Sequence, residues 1–115
     1  MKTSNEPFWW ALFGAGGTLS SICVPVLLVL TGLAIPLGIV DAPSYRDALA
    51  LVLHPLTRLF VFALVSLSFF HGAHRFRFTL NDTVLAHSLH SLFAIVCYGS
   101  AIVGTVLTGV VLWRL

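Results

Sequence analysis

"HGAHRFRF", residues 71–78, sets two imidazoles and two guanidiniums close together in a chain where 9% of residues are charged and 58% are hydrophobic. His71, His74, Arg75 and Phe78 follow i, i+3, i+4, i+7 spacing, which gathers them on one face of a helix. His87 and His90 repeat the i, i+3 step further along. Four kinds of chemistry use such groups. Arginines anchor lipid phosphates while histidines cap helix ends, a reading that accounts for the guanidiniums better than for the imidazoles. The spacing H-x2-H-x12-H-x2-H invites a metal ion, but no carboxylate or thiolate accompanies it and two arginines repel a cation, which argues against zinc or di-iron. A b-type haem needs a neutral imidazole at membrane depth, and His71, the deepest of the set, is the candidate ligand. A quinone headgroup wants hydrogen-bond donors at two oxygens beside an apolar slot for its tail. His74 and Arg75 are donors of that kind.

The elements that must hold these residues are membrane spans. With 115 residues, a mean hydropathy of +1.01 and 12% aromatic content, the chain is one domain lying outside the composition of soluble domains. Between Glu6 and Asp41 lie 34 residues without Lys, Arg, Asp or Glu, more than the roughly 20 a helix needs to cross the hydrocarbon. A second uncharged stretch runs from Thr83 to Trp113. The middle uncharged run, Leu59 to Phe70, is 12 residues long, but Ala48 to Leu53 precede it and Arg58 can carry its charge to the interface on its long stem. The predicted fold is an all-α membrane protein with three transmembrane helices, up-down-up, over roughly 9–39, 50–72 and 88–113. The first apolar stretch is too long for a signal peptide and lacks a small-x-small cleavage site. Cys23 and Cys97 fall inside spans, where apolar packing is the expected role. A net charge of +2 does not suggest nucleic acid.

Local signals refine the spans. Trp9 and Trp10 suit the membrane interface at one end of span 1, as Trp113 does at the end of the last span. Pro25 and Pro36 should kink or end span 1, with Gly38 and Asp41 to Pro43 at its exit. "SYRD" (44–47) fits a capping box, so a helix should start near Ser44 as an interfacial turn, bend at Pro55 and then cross. "LNDT" (80–83) reads as a turn. Ser100, Gly104 and Thr108 stack small residues on one face of the last helix, and "GAGGTLSS" (14–21) does so more densely in span 1. Three helices cannot use all of that surface among themselves, so a partner membrane subunit is expected.

Three crossings put the N-terminus and the loop between the second and third spans on the same side. Trp9 and Trp10 therefore share an interface with His71, His74, Arg75, Arg77, His87 and His90, and the small residues just after Trp10 would leave room for a quinone ring. Lysine and arginine do not choose the orientation, with Lys2, Arg75 and Arg77 on one side and Arg46, Arg58 and Arg114 on the other. The histidines and the terminal amine tip it toward a cytoplasmic N-terminus. "GAGG" inside a span, with no preceding strand, is not a dinucleotide-binding turn, and no credible Ser-His-Asp triad is present.

These residues resemble a known family, the small hydrophobic D subunit of bacterial fumarate reductase. The likeness runs through "EPFWWALFGAGG", Pro25, "PLG" at 36–38, "SY" with "LAL" following, Arg58 with Phe60, and "G-x-HR" at 72–75. The resemblance implies a single membrane-anchor domain in the bacterial inner membrane with a cytoplasmic N-terminus. It would pair with a second three-helix anchor, the C subunit of fumarate reductase, and hold the iron–sulfur (B) and flavoprotein (A) subunits. Menaquinol would be oxidised beside the iron–sulfur protein, with Trp10, His74 and Arg75 at the quinone, while fumarate is reduced to succinate on another chain. This chain would itself be non-catalytic and is expected to bind no haem. It differs from the family pattern where "FRF" (76–78) replaces a histidine-rich run, in a slightly shorter first loop, and at Pro55. His71 also stands where a small or sulfur-bearing residue is usual. Related succinate dehydrogenase anchors ligate haem b through a histidine near there, which makes His71 as a haem ligand the alternative.

Overall fold

Helix α1 spans Glu6–Val29 and continues as a wider π-helical turn over Leu30–Ala34. Pro25 lies inside α1 without ending it. Pro36, lacking an N–H and crowding the preceding turn, does end it. Just before Pro36 the ladder loosens, with the Ile35 N–H reaching five residues back to the Leu30 carbonyl at 3.0 Å. Gly38 then takes a φ of +70°, its N–H bonds the Ile35 carbonyl and the Ile39 N–H bonds the Ala34 carbonyl, a Schellman closure that places the exit at Gly38. The computed structural model describes residues 6–83 and 87–115, all helix, turn or loop, with no strand among the described residues.

Helix α2, Tyr45–Leu53, starts after Ser44, whose hydroxyl oxygen accepts the Asp47 N–H at 3.2 Å and whose proton goes to the Asp47 carboxylate at 2.6 Å. The expected bend at Pro55 is a full break. Proline pushes the residue before it out of the helical region, so His54 is extended at ψ 130°, and α3 begins afresh at Pro55. His54 Nδ1 accepts the Leu56 N–H at 3.2 Å and caps the new helix.

Helix α3 runs from Pro55 to Thr83, so "LNDT" is its final turn and not the turn expected from sequence. Thr79 and Thr83 donate their hydroxyls to the Arg75 and Thr79 carbonyls, at 3.0 and 2.7 Å, and so fit the helix without breaking it. At 1.5 Å per residue α3 is about 43 Å long, against about 30 Å of hydrocarbon. Arg58 and Arg77 lie about 28 Å apart along it by the same rise, and they bracket one bilayer thickness. Polar residues beyond Arg77 extend past the hydrocarbon, where a helix tolerates them. A 3₁₀ turn, His87–Leu89, leads into α4, His90–Arg114.

Helix α3 is central, packed by α1 on one side and α4 on the other. Missing side chains allow the approach. A Cβ on Gly16 would lie 2.6 Å from the Leu67 carbonyl oxygen, and one on Gly104 would lie 2.8 Å from the Phe69 ring. The Ser20 and Ser68 hydroxyls meet at 2.6 Å across the α1–α3 contact. Phe62 and Trp113 pair edge to face at the far end of α3 and α4, 5.8 Å between centroids. The buried apolar residues among those described are Leu64, Cys97, Ala101 and Leu112. Ile22, Leu28, Ile95 and Val106 are each more than half exposed. Side chains so distributed are stable only in an apolar solvent, and α1 with its extension, α3 and α4 are each long and apolar enough to cross a membrane. The fold is therefore a three-span, all-α membrane protein. Cys23 in α1 and Cys97 in α4 are free thiols.

Candidate functional site

Phe13 is the residue around which the site is built. Its carbonyl, on α1, would normally be shielded by the side chain four residues on, but that residue is Gly17. The opened carbonyl takes a hydrogen bond from His71 Nδ1 of α3 at 3.1 Å. Since a carbonyl only accepts, His71 carries its proton on Nδ1. The imidazole stacks on the Phe13 ring, 4.3 Å between centroids and 17° between planes, and its Cε1 lies 2.6 Å from where a Gly17 Cβ would stand. Of the small residues after Trp10, Gly16 and Gly17 face the α3 backbone and the His71 ring, which fill that space, whereas a Cβ on Gly14 would meet nothing within 4 Å.

The open space lies toward the tryptophans. A groove of ≈ 600 Å³ is lined by Trp9, Trp10, Leu12 and Phe13 from α1, Phe70, His74 and Phe78 from α3, and Tyr98 from α4. The His74 ring stands 6.1 Å from Trp10, 4.7 Å from Phe13 and 4.8 Å from Phe78, centroid to centroid. Its Nδ1 is 2.9 Å from the Tyr98 hydroxyl. Trp10 and His74, joined in the sequence by the parity of the crossings, are thus neighbours in space.

The helical face predicted for 71–78 divides. His71, His74 and Phe78 turn toward Phe13 or the groove, whereas Arg75 is exposed and its guanidinium makes no hydrogen bond among the described residues. The arginine that reaches the cluster is Arg77. Its Nη1 donates to the Tyr98 oxygen at 3.5 Å, and its guanidinium lies 5.5 Å from the Tyr98 ring and 5.7 Å from the Phe78 ring. His90 is exposed at the start of α4, the His87 side chain falls outside the described residues, and no three His, Cys, Asp or Glu side chains converge among those described. Sequence reasoning placed Arg77 on this rim without a role in the site, and it missed Phe13 and Tyr98. A signal for the last was available: Tyr98 is a single phenol in an otherwise apolar span, and a phenol held there seeks a partner.

Comparison with known proteins agrees with this architecture. The family model for the fumarate reductase D subunit matches residues 1–113. The chain is similar to the fumarate reductase D subunits of Mycobacterium bovis (strain BCG / Pasteur 1173P2) and of Mycobacterium tuberculosis (strain ATCC 25618 / H37Rv), each 46% identical over 108 residues, covering 94% of this chain and 86% of the relative. It is also similar to the fumarate reductase D subunit of Aliivibrio fischeri (strain MJ11), 33% identical over 116 residues, covering 99% of this chain and 95% of that protein. With whole-chain matches of this kind on a three-span helical fold, the chain belongs to the family of fumarate reductase D subunits.

Proposed function

We propose that this membrane anchor of fumarate reductase binds a menaquinol headgroup in the groove between Trp10 and His74 and, together with the C subunit, helps hold the flavoprotein and iron–sulfur subunits at the cytoplasmic face of the bacterial inner membrane. The observation that carries the proposal is the groove itself. Its volume suits a bicyclic ring, its walls are aromatic, and its N–H-bearing rings belong to Trp9, Trp10 and His74. Quinol oxidation releases two electrons to the iron–sulfur protein and two protons to water at the membrane surface, and on another chain fumarate takes up the two electrons with two protons from solvent. This chain contributes position and polarity. Phe13, Phe70 and Phe78 hold the ring plane, Trp10 Nε1–H and the His74 imidazole bond its oxygens, and the exposed Arg75, next in sequence to His74, offers a cation from outside the groove.

The test is kinetic. In the assembled complex, Trp10→Leu and His74→Ala should lower quinol-driven fumarate reduction by on the order of 100-fold. Fumarate reduction by a soluble viologen donor should stay at the wild-type rate. Wild-type quinol rates in both variants would count against the groove as the quinol site.

A second reading, haem b ligated by His71, is favoured by one observation: with Nδ1–H held by the Phe13 carbonyl, Nε2 keeps the lone pair a haem iron takes. The same ring is packed against Phe13 and Gly17, and it does not line the groove. A reduced-minus-oxidised spectrum of the purified complex separates the readings, since a haem band lost in His71→Ala belongs to the second alone.

A further inference from the structure

His74 has two nitrogens, and which one carries the proton determines what it can offer a ligand. Nδ1 faces the Tyr98 hydroxyl at 2.9 Å, and the same hydroxyl oxygen stands 3.5 Å from Arg77 Nη1. A guanidinium has donors only, so the Arg77 contact uses a lone pair of the phenol oxygen. The phenol proton must then find an acceptor of its own. Among the described residues His74 Nδ1 is the only acceptor within hydrogen-bond reach of it. Were His74 instead to donate from Nδ1, the phenol oxygen would accept twice and its proton would be left without an acceptor in apolar surroundings, which is unfavourable. The charge on Arg77 also polarises the O–H and makes it the stronger donor.

We infer that Tyr98, oriented by Arg77, is a positioning residue that fixes His74 as the Nε2–H tautomer, so that the imidazole presents a donor and not a lone pair to the ligand of the groove. The inference rests on the quinol reading for its consequence, though not for its geometry. A quinol oxygen gains negative character as its proton leaves, and an Nε2–H donor stabilises that charge where a lone pair would repel it. Tyr98 acts on the reacting molecule through His74, and its effect should appear in turnover more than in affinity.

The experiment compares the assembled complex, labelled with 15N-histidine, in wild type, Tyr98→Phe and Arg77→Gln. The difference spectrum against His74→Ala isolates the His74 signals. Wild type should show unprotonated Nδ1 and protonated Nε2. Tyr98→Phe keeps the ring and removes the hydroxyl, and should give a mixture of tautomers with kcat for quinol lower by on the order of 10-fold, KM nearly unchanged and viologen-driven turnover intact. Arg77→Gln, whose side chain is too short to bring a donor to the phenol oxygen that Arg77 Nη1 reaches at 3.5 Å, should loosen the wild-type tautomer toward the mixture of Tyr98→Phe. A wild-type His74 protonated on Nδ1 overturns the inference, as does a Tyr98→Phe spectrum identical to wild type. A tautomer that shifts in Tyr98→Phe while quinol turnover holds supports the role of Tyr98 and counts against the quinol reading beneath it.

Discussion

Gly17 and the His71 imidazole claim one volume from opposite sides of the α1–α3 contact, with the ring already 2.6 Å from the position a Cβ would take. Gly17→Ala is therefore expected to destabilise the chain by about 1–3 kcal/mol, read as a lower thermal midpoint in detergent. His71→Ala in the same background should restore much of the loss by vacating the space. If Gly17→Ala melts with wild type, the packing described is wrong. Much at this scale is legible in the sequence: Trp10, His71 and His74 stand out by type and by the parity of the crossings, and the structure sets them around Phe13. Helical spacing also groups Arg75 with them, because spacing fixes where a Cα sits and not where a long flexible side chain goes. Arg77 enters the cluster because the Tyr98 and Phe78 rings offer its guanidinium a face. Tyr98 could not be paired with His74 from sequence, since the pairing depends on the rotation of α4 against α3, which a nearly uniform apolar helix does not encode.

The elements follow from short signals that the sequence states well and from lengths that it states poorly. Ser44, Pro55, Pro36 and Gly38 mark helix ends through backbone chemistry, and each lies at a boundary or break in the structure. The end of α3 escapes a sequence reading because Asn81, Asp82 and Thr83 favour turns only when nothing else holds the backbone, whereas here a long helix carries them past the hydrocarbon. Capping gives a local prediction: Ser44→Ala should cost α2 about 1 kcal/mol. Hydrogen exchange at the Asp47 amide should rise, with the amides of α3 and α4 unchanged. Equal exchange at Asp47 in both proteins would remove the cap from the description. At Gly104, a leucine would meet the Phe69 ring and should separate α4 from α3, lowering the thermal midpoint far more than a leucine at Gly99, which has nothing within 4 Å.

As a whole, the molecule exposes its apolar surface and keeps its few polar contacts between helices, which is the arrangement of a chain solvated by lipid and by other membrane helices. A Cβ on Gly14, in the small-residue stretch noted in the sequence, would meet nothing within 4 Å, nor would one on Gly32, Gly72 or Gly99, so these helix positions are left open within this chain. Gly72→Leu is expected to leave the helix content of the isolated chain unchanged and to reduce recovery of the assembled complex from mild detergent; full recovery would mean that this face is not where a partner helix packs. The membership of the chain in its family and its three spans are both legible in the sequence, because hydropathy and short motifs carry them. The shape of the groove is not, because it is formed jointly by side chains of α1, α3 and α4 whose relative rotation the sequence does not state. The most direct test is photolabelling of the assembled complex with an azido-substituted menaquinone analogue, followed by peptide mapping. Adducts on the segments holding Trp9–Phe13 and Phe70–Phe78, suppressed by excess menaquinone, are the expected result. Specific adducts confined to the opposite end of the bundle, around Arg58–Phe62 and Leu112–Trp113, would contradict it.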